Sequence, residues 1–193
     1  MKLTEQDLVI KAKAGDYRAF EELVYAYDRR VLATVYRFTG DPDDAKDLYQ
    51  DIFIRAFKGL KKFEFKSSFS TWLYRIAVNV CLTHKAKAGK RNYESLDDPY
   101  PDSEDSKTEQ YEDKSGSLSP EKSLLGSETL AVVRKAVDSL SPRLKMVFVM
   151  KHYDGLKIKE IAEMLETKEG TVKKYLFEAV HILRGRLAGY LEN

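Results

Sequence analysis

In the stretch DPDDAKDLYQDIFIRAF, four polar side chains, Asp44, Asp47, Gln50 and Asp51, lie close enough together to do chemistry. Clustered carboxylates can hold a hard metal or divide acid and base roles, but both tasks need ligands converging from several elements. Here Ala45, Leu48, Tyr49, Ile52, Phe53 and Ala56 recur at helical spacing, so the carboxylates are successive residues of one helix face. Such a face is either solvated or a docking surface for a basic partner, and its early aspartates suit the positive end of the helix dipole. Cys81 and His84, three residues apart, have the spacing of a nucleophile pair or half a metal site, yet no further ligands accompany them and helix packing accounts for both. A single cysteine makes neither an internal disulfide nor a zinc-type CxxC pair.

A second cluster is aromatic and basic. In KKFEFKSSFSTWLYRIAVNVCLTHKAKAGKR, Phe63, Phe65 and Phe69 alternate with Lys61, Lys62 and Lys66, with Ser67 between them, and Trp72 follows. Exposed rings stack on unpaired bases while cations neutralise phosphates, each stacked base contributing ~1–3 kcal/mol. Leu73, Ile76, Ala77 and Val80 keep one stripe of the following helix apolar, and Arg75, Asn79, Thr83, Lys85 and Lys87 occupy the other side. The alternative is that these aromatics are mostly core, and Trp72 itself reads equally as a core ring or a functional one.

The third cluster lies in LKIKEIAEMLETKEGTVKKYLFEAVHILRGRL. Ile158, Ile161, Ala162 and Leu165 form one apolar stripe, Val172, Leu176, Ala179, Leu183 and Leu187 another, with a short polar turn between. The small Ala162 allows the close helix approach of a helix-turn-helix, whose second helix then presents Thr171, Lys173, Lys174, Tyr175, Phe177, Glu178 and His181 outward. Lysines near its start suit phosphates and their neighbours suit base edges in a major groove; a plain helical hairpin with a solvated lysine pair is the alternative.

The elements that must position these groups read as all-helical. Thr4 with Asp7 starts a first helix that Gly15 ends; Asp16 starts a second that runs to Gly40; Asp41-Pro42 starts a third closed by Gly59; Ser70 caps a fourth. Ser119-Pro120-Glu121 and Ser141-Pro142 start later helices, and Asp154-Gly155 turns the chain before the helix-turn-helix. Between the two helical regions, residues 92–117 are polar, acidic and nearly without aliphatic side chains, which predicts a linker. The net +2 conceals an uneven distribution: residues 1–91 carry +6, residues 92–126 carry −7 and residues 127–193 carry +3. Basic blocks on either side of an acidic strap suggest a polyanionic partner, although ordinary surface charge is an equal reading of charge alone. No apolar leader follows Met1 and no apolar run reaches the ~18 residues of a membrane span, so a cytoplasmic protein without membrane insertion is expected.

Two of these motifs, in this order and on either side of a variable linker, resemble the extracytoplasmic-function sigma factors of bacterial RNA polymerase. The stretch from Asp7 to Phe57 resembles the start of their region 2, SSFSTWLYRIAVN its most specific signature, and VDSLSPRLKMVFVMKHYDGLKIKEIAEMLETKEGTVKKYLFEA their region 4. The resemblance implies two small helical domains, 1–91 and 119–193, joined by a flexible acidic linker, 92–118. It implies a non-enzymatic initiation factor, without cofactor or metal, that binds core polymerase and promoter DNA. Asp44, Asp47, Gln50 and Asp51 would then dock on the coiled-coil clamp of the largest polymerase subunit. Lys62, Phe63, Lys66, Ser67, Phe69, Trp72, Arg75, Asn79, Lys85 and Lys87 would serve the minus-ten element, the Phe63–Phe69 loop receiving a flipped base. Thr171, Lys173, Lys174, Tyr175 and Phe177 would face the minus-thirty-five element. The linker would follow the polymerase's RNA path, and an anti-sigma factor would grip both domains. Three features depart from the family pattern: Glu166 stands where a turn glycine is common, the recognition helix offers Tyr175, Glu178 and Val180 where arginines are usual, and Glu64-Phe65-Lys66 replaces a small, glycine-containing stretch. A helix-turn-helix regulator binding duplex DNA as a dimer would account for the second region but not for the acidic face or the aromatic loop.

Overall fold

The computed structural model describes residues 3–92 and 126–191, with side chains described over 3–87 and 129–190 apart from residue 189. The expected linker beyond residue 92 and the Ser119-Pro120-Glu121 helix start lie outside the described residues. Their regular elements are all helical: α1 (Glu5–Lys13), α2 (Tyr17–Thr39), α3 (Pro42–Leu60), α4 (Phe69–Asn92), α5 (Gly126–Asp138), α6 (Pro142–Phe148) continuing into a π-helical turn (Val149–Tyr153), α7 (Ile158–Met164) and α8 (Glu169–Leu191).

Helix starts follow from local hydrogen bonding, because the first N–H groups of a helix lack intrahelical acceptors. Thr4 and Asp7 bond reciprocally at the head of α1. Asp16 accepts from the N–H groups of Arg18 and Ala19 at α2, and Asp41 from those of Asp43 and Asp44 at α3. Gly40, at φ 78°, ends α2 in the left-handed conformation that glycine adopts without a Cβ clash. Two expected boundaries move. Gly59 lies within α3, which ends at Leu60; a Cβ there would meet the Trp72 ring at 3.3 Å, so the glycine serves close helix approach. The cap of α4 is Ser68 rather than Ser70: its Oγ accepts from the Thr71 N–H at 3.1 Å, and Phe69 thereby enters the core as the first helical residue.

Leu23, Val31, Val35, Phe38, Ile52, Ala56, Leu60, Leu73, Tyr74 and Ala77 from α2, α3 and α4 form the first region's core. Met146, Val147, Met150, Leu156, Ile161, Ala162 and Val172 continue the same cluster into the second region, while Ala136, Val137, Leu140, Leu144, Ala179 and Leu183 close a smaller one between α5, α6 and α8. The two regions are therefore packed together, α6, the π-turn and α7 lying on α2 and α4. Polar contacts cross the seam at several points, among them Arg134 Nη2 donating to the Tyr36 hydroxyl at 3.3 Å. The carboxylate of Asp154, its side chain only 2% exposed, accepts from Thr34 Oγ1 at 2.8 Å and from Arg37 Nη1 at 3.0 Å. Buried Lys145 donates to the Phe38 carbonyl, one of the orphan acceptors at the C-terminal end of α2, and to Asp138 at 2.7 Å. Arg75 on α4 donates through Nε to the Glu163 carbonyl at 3.0 Å and lies 3.4 Å from the Glu166 carboxylate.

Candidate nucleic-acid and polymerase interface

Helix α3 turns its apolar stripe inward and leaves Asp47 and Gln50 exposed, with Asp51 half-buried and paired to Arg55 at 2.9 Å. Asp44 is half-buried, its Oδ1 3.7 Å from His84 Nε2 on α4. Beside this face a shallow groove lined by Asp28, Arg29, Leu32, Lys46, Tyr49 and Gln50 separates α2 from α3. Among the described residues, no group of three or more His, Cys, Asp or Glu side chains could hold a metal ion. Cys81 is buried, and desolvation pushes its thiol up to about 12, which leaves it inert as a nucleophile.

The aromatic loop is more sharply divided than its sequence suggests. Phe63 and Phe69 are 4% and 3% exposed, which corrects the expectation that their faces are open. Phe69 packs on Tyr27 and Trp72, and Phe63 on Trp72 at 5.1 Å, because a loop this short between α3 and α4 has to bury its large side chains to seal the bundle. Trp72 is half-buried against them. The open ring is Phe65, 42% exposed, lying on Phe63 at a centroid distance of 4.9 Å. Its φ of 57° is the left-handed conformation, strained for an aromatic residue. Lys13 of α1 holds the loop from outside, donating to the Phe63 carbonyl and lying 5.0 Å from the Phe65 ring centre. Sequence gave no hint of Lys13, fifty positions away; Phe65 stood in the aromatic run but its role depends on which ring the loop leaves outside. Lys62, Lys66 and Lys87 are exposed, Ser67 and Lys85 half-buried, and Lys66 pairs with Glu64. Arg75 and Asn79 lie farther along α4, and both face the second region across the seam.

Helices α7 and α8 form the expected helix-turn-helix, with Ile161, Ala162, Val172 and Leu176 buried in one cluster. The turn is closed by the Thr167 N–H donating to the Ala162 carbonyl at 2.9 Å, and Glu166 in it has φ 53°. Lys173, Lys174 and Phe177 are exposed, Phe177 stacked with His181. Thr171 is half-buried, and Tyr175 turns inward against both core clusters. It joins Asn79, Leu82, Arg143, Met146 and Glu166 around a cavity of about 300 Å³ between the regions.

Known proteins place this arrangement. The family described as Sigma-70 region 2 matches residues 23–91, and Sigma-70, region 4 matches residues 130–181. The ECF RNA polymerase sigma-E factor of Escherichia coli K12 is 34% identical over 182 residues, covering 92% of this chain and 91% of that protein. The RNA polymerase sigma-H factor of Pseudomonas aeruginosa is 33% identical over 181 residues, covering 91% and 89%. The fold is that of CnrH, solved in complex with the cytosolic domain of CnrY (TM-score 0.65, 21% identity, 94% of this chain and 96% of that one). It is also that of the sigma factor RpoE of Bartonella quintana, solved with the anti-sigma factor NepR (TM-score 0.61, 22% identity, 88% and 96%). With both regions matched in order and a third of its residues shared with such relatives over nine-tenths of its length, the chain belongs to the extracytoplasmic-function sigma factors, non-enzymatic proteins of transcription initiation.

Proposed function

We propose that this sigma factor, acting in the cytoplasm, docks on core polymerase through α3 and opens its promoter with the loop before α4. Residues 1–91 form the clamp-docking and minus-ten unit, 92–118 the linker and 119–193 the minus-thirty-five unit. Asp44, Asp47, Gln50 and Asp51, together with the groove that Gln50 lines, present an acidic and apolar surface that fits a basic coiled coil. The observation that carries the DNA reading is the tilted ring cluster Phe65–Phe63–Trp72 under a lysine-rich rim: one open ring on a packed aromatic base, with Lys13, Lys62 and Lys66 to meet the backbone. Buried Phe63 and Phe69 support that platform, and Phe65 and the edge of Trp72 receive the extruded base. Extruding it costs a few kcal/mol, which stacking and phosphate contacts offset. Ser67, Arg75, Asn79, Lys85 and Lys87 follow the strand and the duplex edge upstream. Thr171, Lys173, Lys174, Tyr175 and Phe177 read the minus-thirty-five element from α8. The Bartonella neighbour's anti-sigma complex supports a like partner for this chain.

Run-off transcription with core polymerase on a pool of genomic fragments tests the reading. Products that need this protein are expected, and reversing Asp47 and Asp51 to lysine should weaken core binding about tenfold or more with an unchanged helical signal. No protein-dependent product would overturn the function, and unchanged core affinity would overturn the docking face alone.

A further inference from the structure

The outward face of α8 combines a carboxylate and an open ring with its cations. Lys174, Phe177, Glu178 and His181 recur at i, i+3, i+4 and i+7, opposite the buried Val172, Leu176, Ala179 and Leu183. Tyr175 packs inward against both core clusters, so the ring this face offers is that of Phe177, 63% exposed. One turn farther along the helix His181 lies nearly parallel to it, with 10° between the planes and 6.4 Å between ring centres. Phe177 belongs to neither core cluster, and its side chain is free to meet another molecule.

Glu178, half-buried beside that ring, is the residue with the narrowest choice of partner on DNA. A carboxylate is repelled by phosphates, and those contacts fall to Lys173, Lys174 and Arg184, all exposed around it. Against base edges an ionised carboxylate can only accept. In the major groove guanine shows two acceptors, thymine an acceptor and a methyl, and adenine an amino group next to the N7 acceptor, so each sets lone pairs against the carboxylate. Cytosine shows a donor, its N4 amino group, with no acceptor beside it on the same base. Phe177 has no polar atom to satisfy and suits the apolar group of the groove, the thymine C5 methyl. Consecutive helical residues lie ~1.5 Å apart along the axis and ~100° around it, within reach of neighbouring base pairs.

We propose that Glu178 and Phe177 set the promoter preference of this protein: Glu178 accepts from the N4 amino group of a cytosine in the minus-thirty-five element, and Phe177, backed by His181, packs on the methyl of a thymine in the neighbouring base pair. This deepens, and rests on, the assignment of α8 to that element.

The test assembles the full chain with core polymerase and selects, by binding, promoters from the run-off pool randomised over the minus-thirty-five element. Phe177, Glu178 and His181 lie outside both core clusters, so their variants keep the fold. The native holoenzyme should enrich cytosine at one position by about fivefold or more over each other base. Glu178→Gln, which keeps the shape and removes the charge, should move that single position to adenine, because an amide pairs with N6 and N7 together. Glu178→Ala should leave it without preference. Replacing the thymine by deoxyuridine, which removes only the methyl, should weaken native binding about fourfold. Phe177→Ala should bind both forms alike, and His181→Ala should narrow the difference. An unchanged base profile in Glu178→Gln would overturn the cytosine contact, and equal binding of thymine and deoxyuridine by the native protein would overturn the methyl contact. A native holoenzyme that enriches no minus-thirty-five sequence at all would instead overturn the assignment of α8.

Discussion

At the scale of single residues, the informative positions are Phe65 and Glu166, the two non-glycine residues with positive φ among those described. Both adopt the left-handed backbone that glycine enters freely, so this chain accepts backbone strain of ~1–2 kcal/mol at each for what the side chain adds. For Phe65 the addition is an open ring on a packed one. Phe65→Gly should therefore leave the melting temperature unchanged or slightly raised, while losing ~1–3 kcal/mol of stacking, about 5- to 150-fold in affinity for a single-stranded oligonucleotide. Calorimetry beside fluorescence anisotropy separates the cases: a lower melting temperature with unaltered DNA affinity would make Phe65 a packing residue. The loop's aromatic character was legible from sequence. Which ring stays outside was not, because rings of equal hydrophobicity in one short loop are sorted by the space that α2, α3 and α4 leave them.

At the scale of elements, the caps of the first region are local chemistry and were readable as such. Asp41 is the plainest case, since one carboxylate oxygen accepts from two orphan N–H groups at 2.9 and 2.8 Å. Asp41→Ala should cost about 1 kcal/mol of stability, seen as a lower midpoint in urea unfolding with an unchanged slope. A midpoint that does not move would show that Pro42 and the dipole suffice to start α3. The start of α4 was misplaced by two residues because Ser68 and Ser70 are equally good caps; burial of Phe69 decides between them. The π-turn after α6 carries no comparable signal. Nothing in VMKHY distinguishes it from an α-helical turn, yet that widened turn delivers Asp154 to α2.

At the scale of the whole molecule, the seam between the regions is polar, buried and sensitive to charge. Burial outweighs Thr34, Arg37 and Arg30 on α2 and lifts the Asp154 carboxyl above its ordinary range, with Tyr74 of α4 facing the same site. The packed form thus holds a proton more tightly than the separated or unfolded chain. Stability contributed at this site should be complete below the ordinary carboxylate range and fall as pH rises through the lifted value. Asp154→Asn should flatten that slope when thermal midpoints of the two proteins are compared between about pH 4 and 7; parallel curves would place the pH dependence elsewhere. By itself the sequence determined that the chain is helical, where most helices begin, which faces are apolar, and that its two motifs are those of a sigma factor, since caps, periodicity and motif order are properties of neighbouring residues. Only the tertiary structure decided that Phe65 rather than Phe63 is open, that Lys13 braces the loop, and that Asp154 and Lys145 fasten one region to the other. Those outcomes depend on contacts between separate helices, fifty or more positions apart for Lys13, Asp154 and Lys145, whose partners are selected by shape and desolvation once the helices have packed.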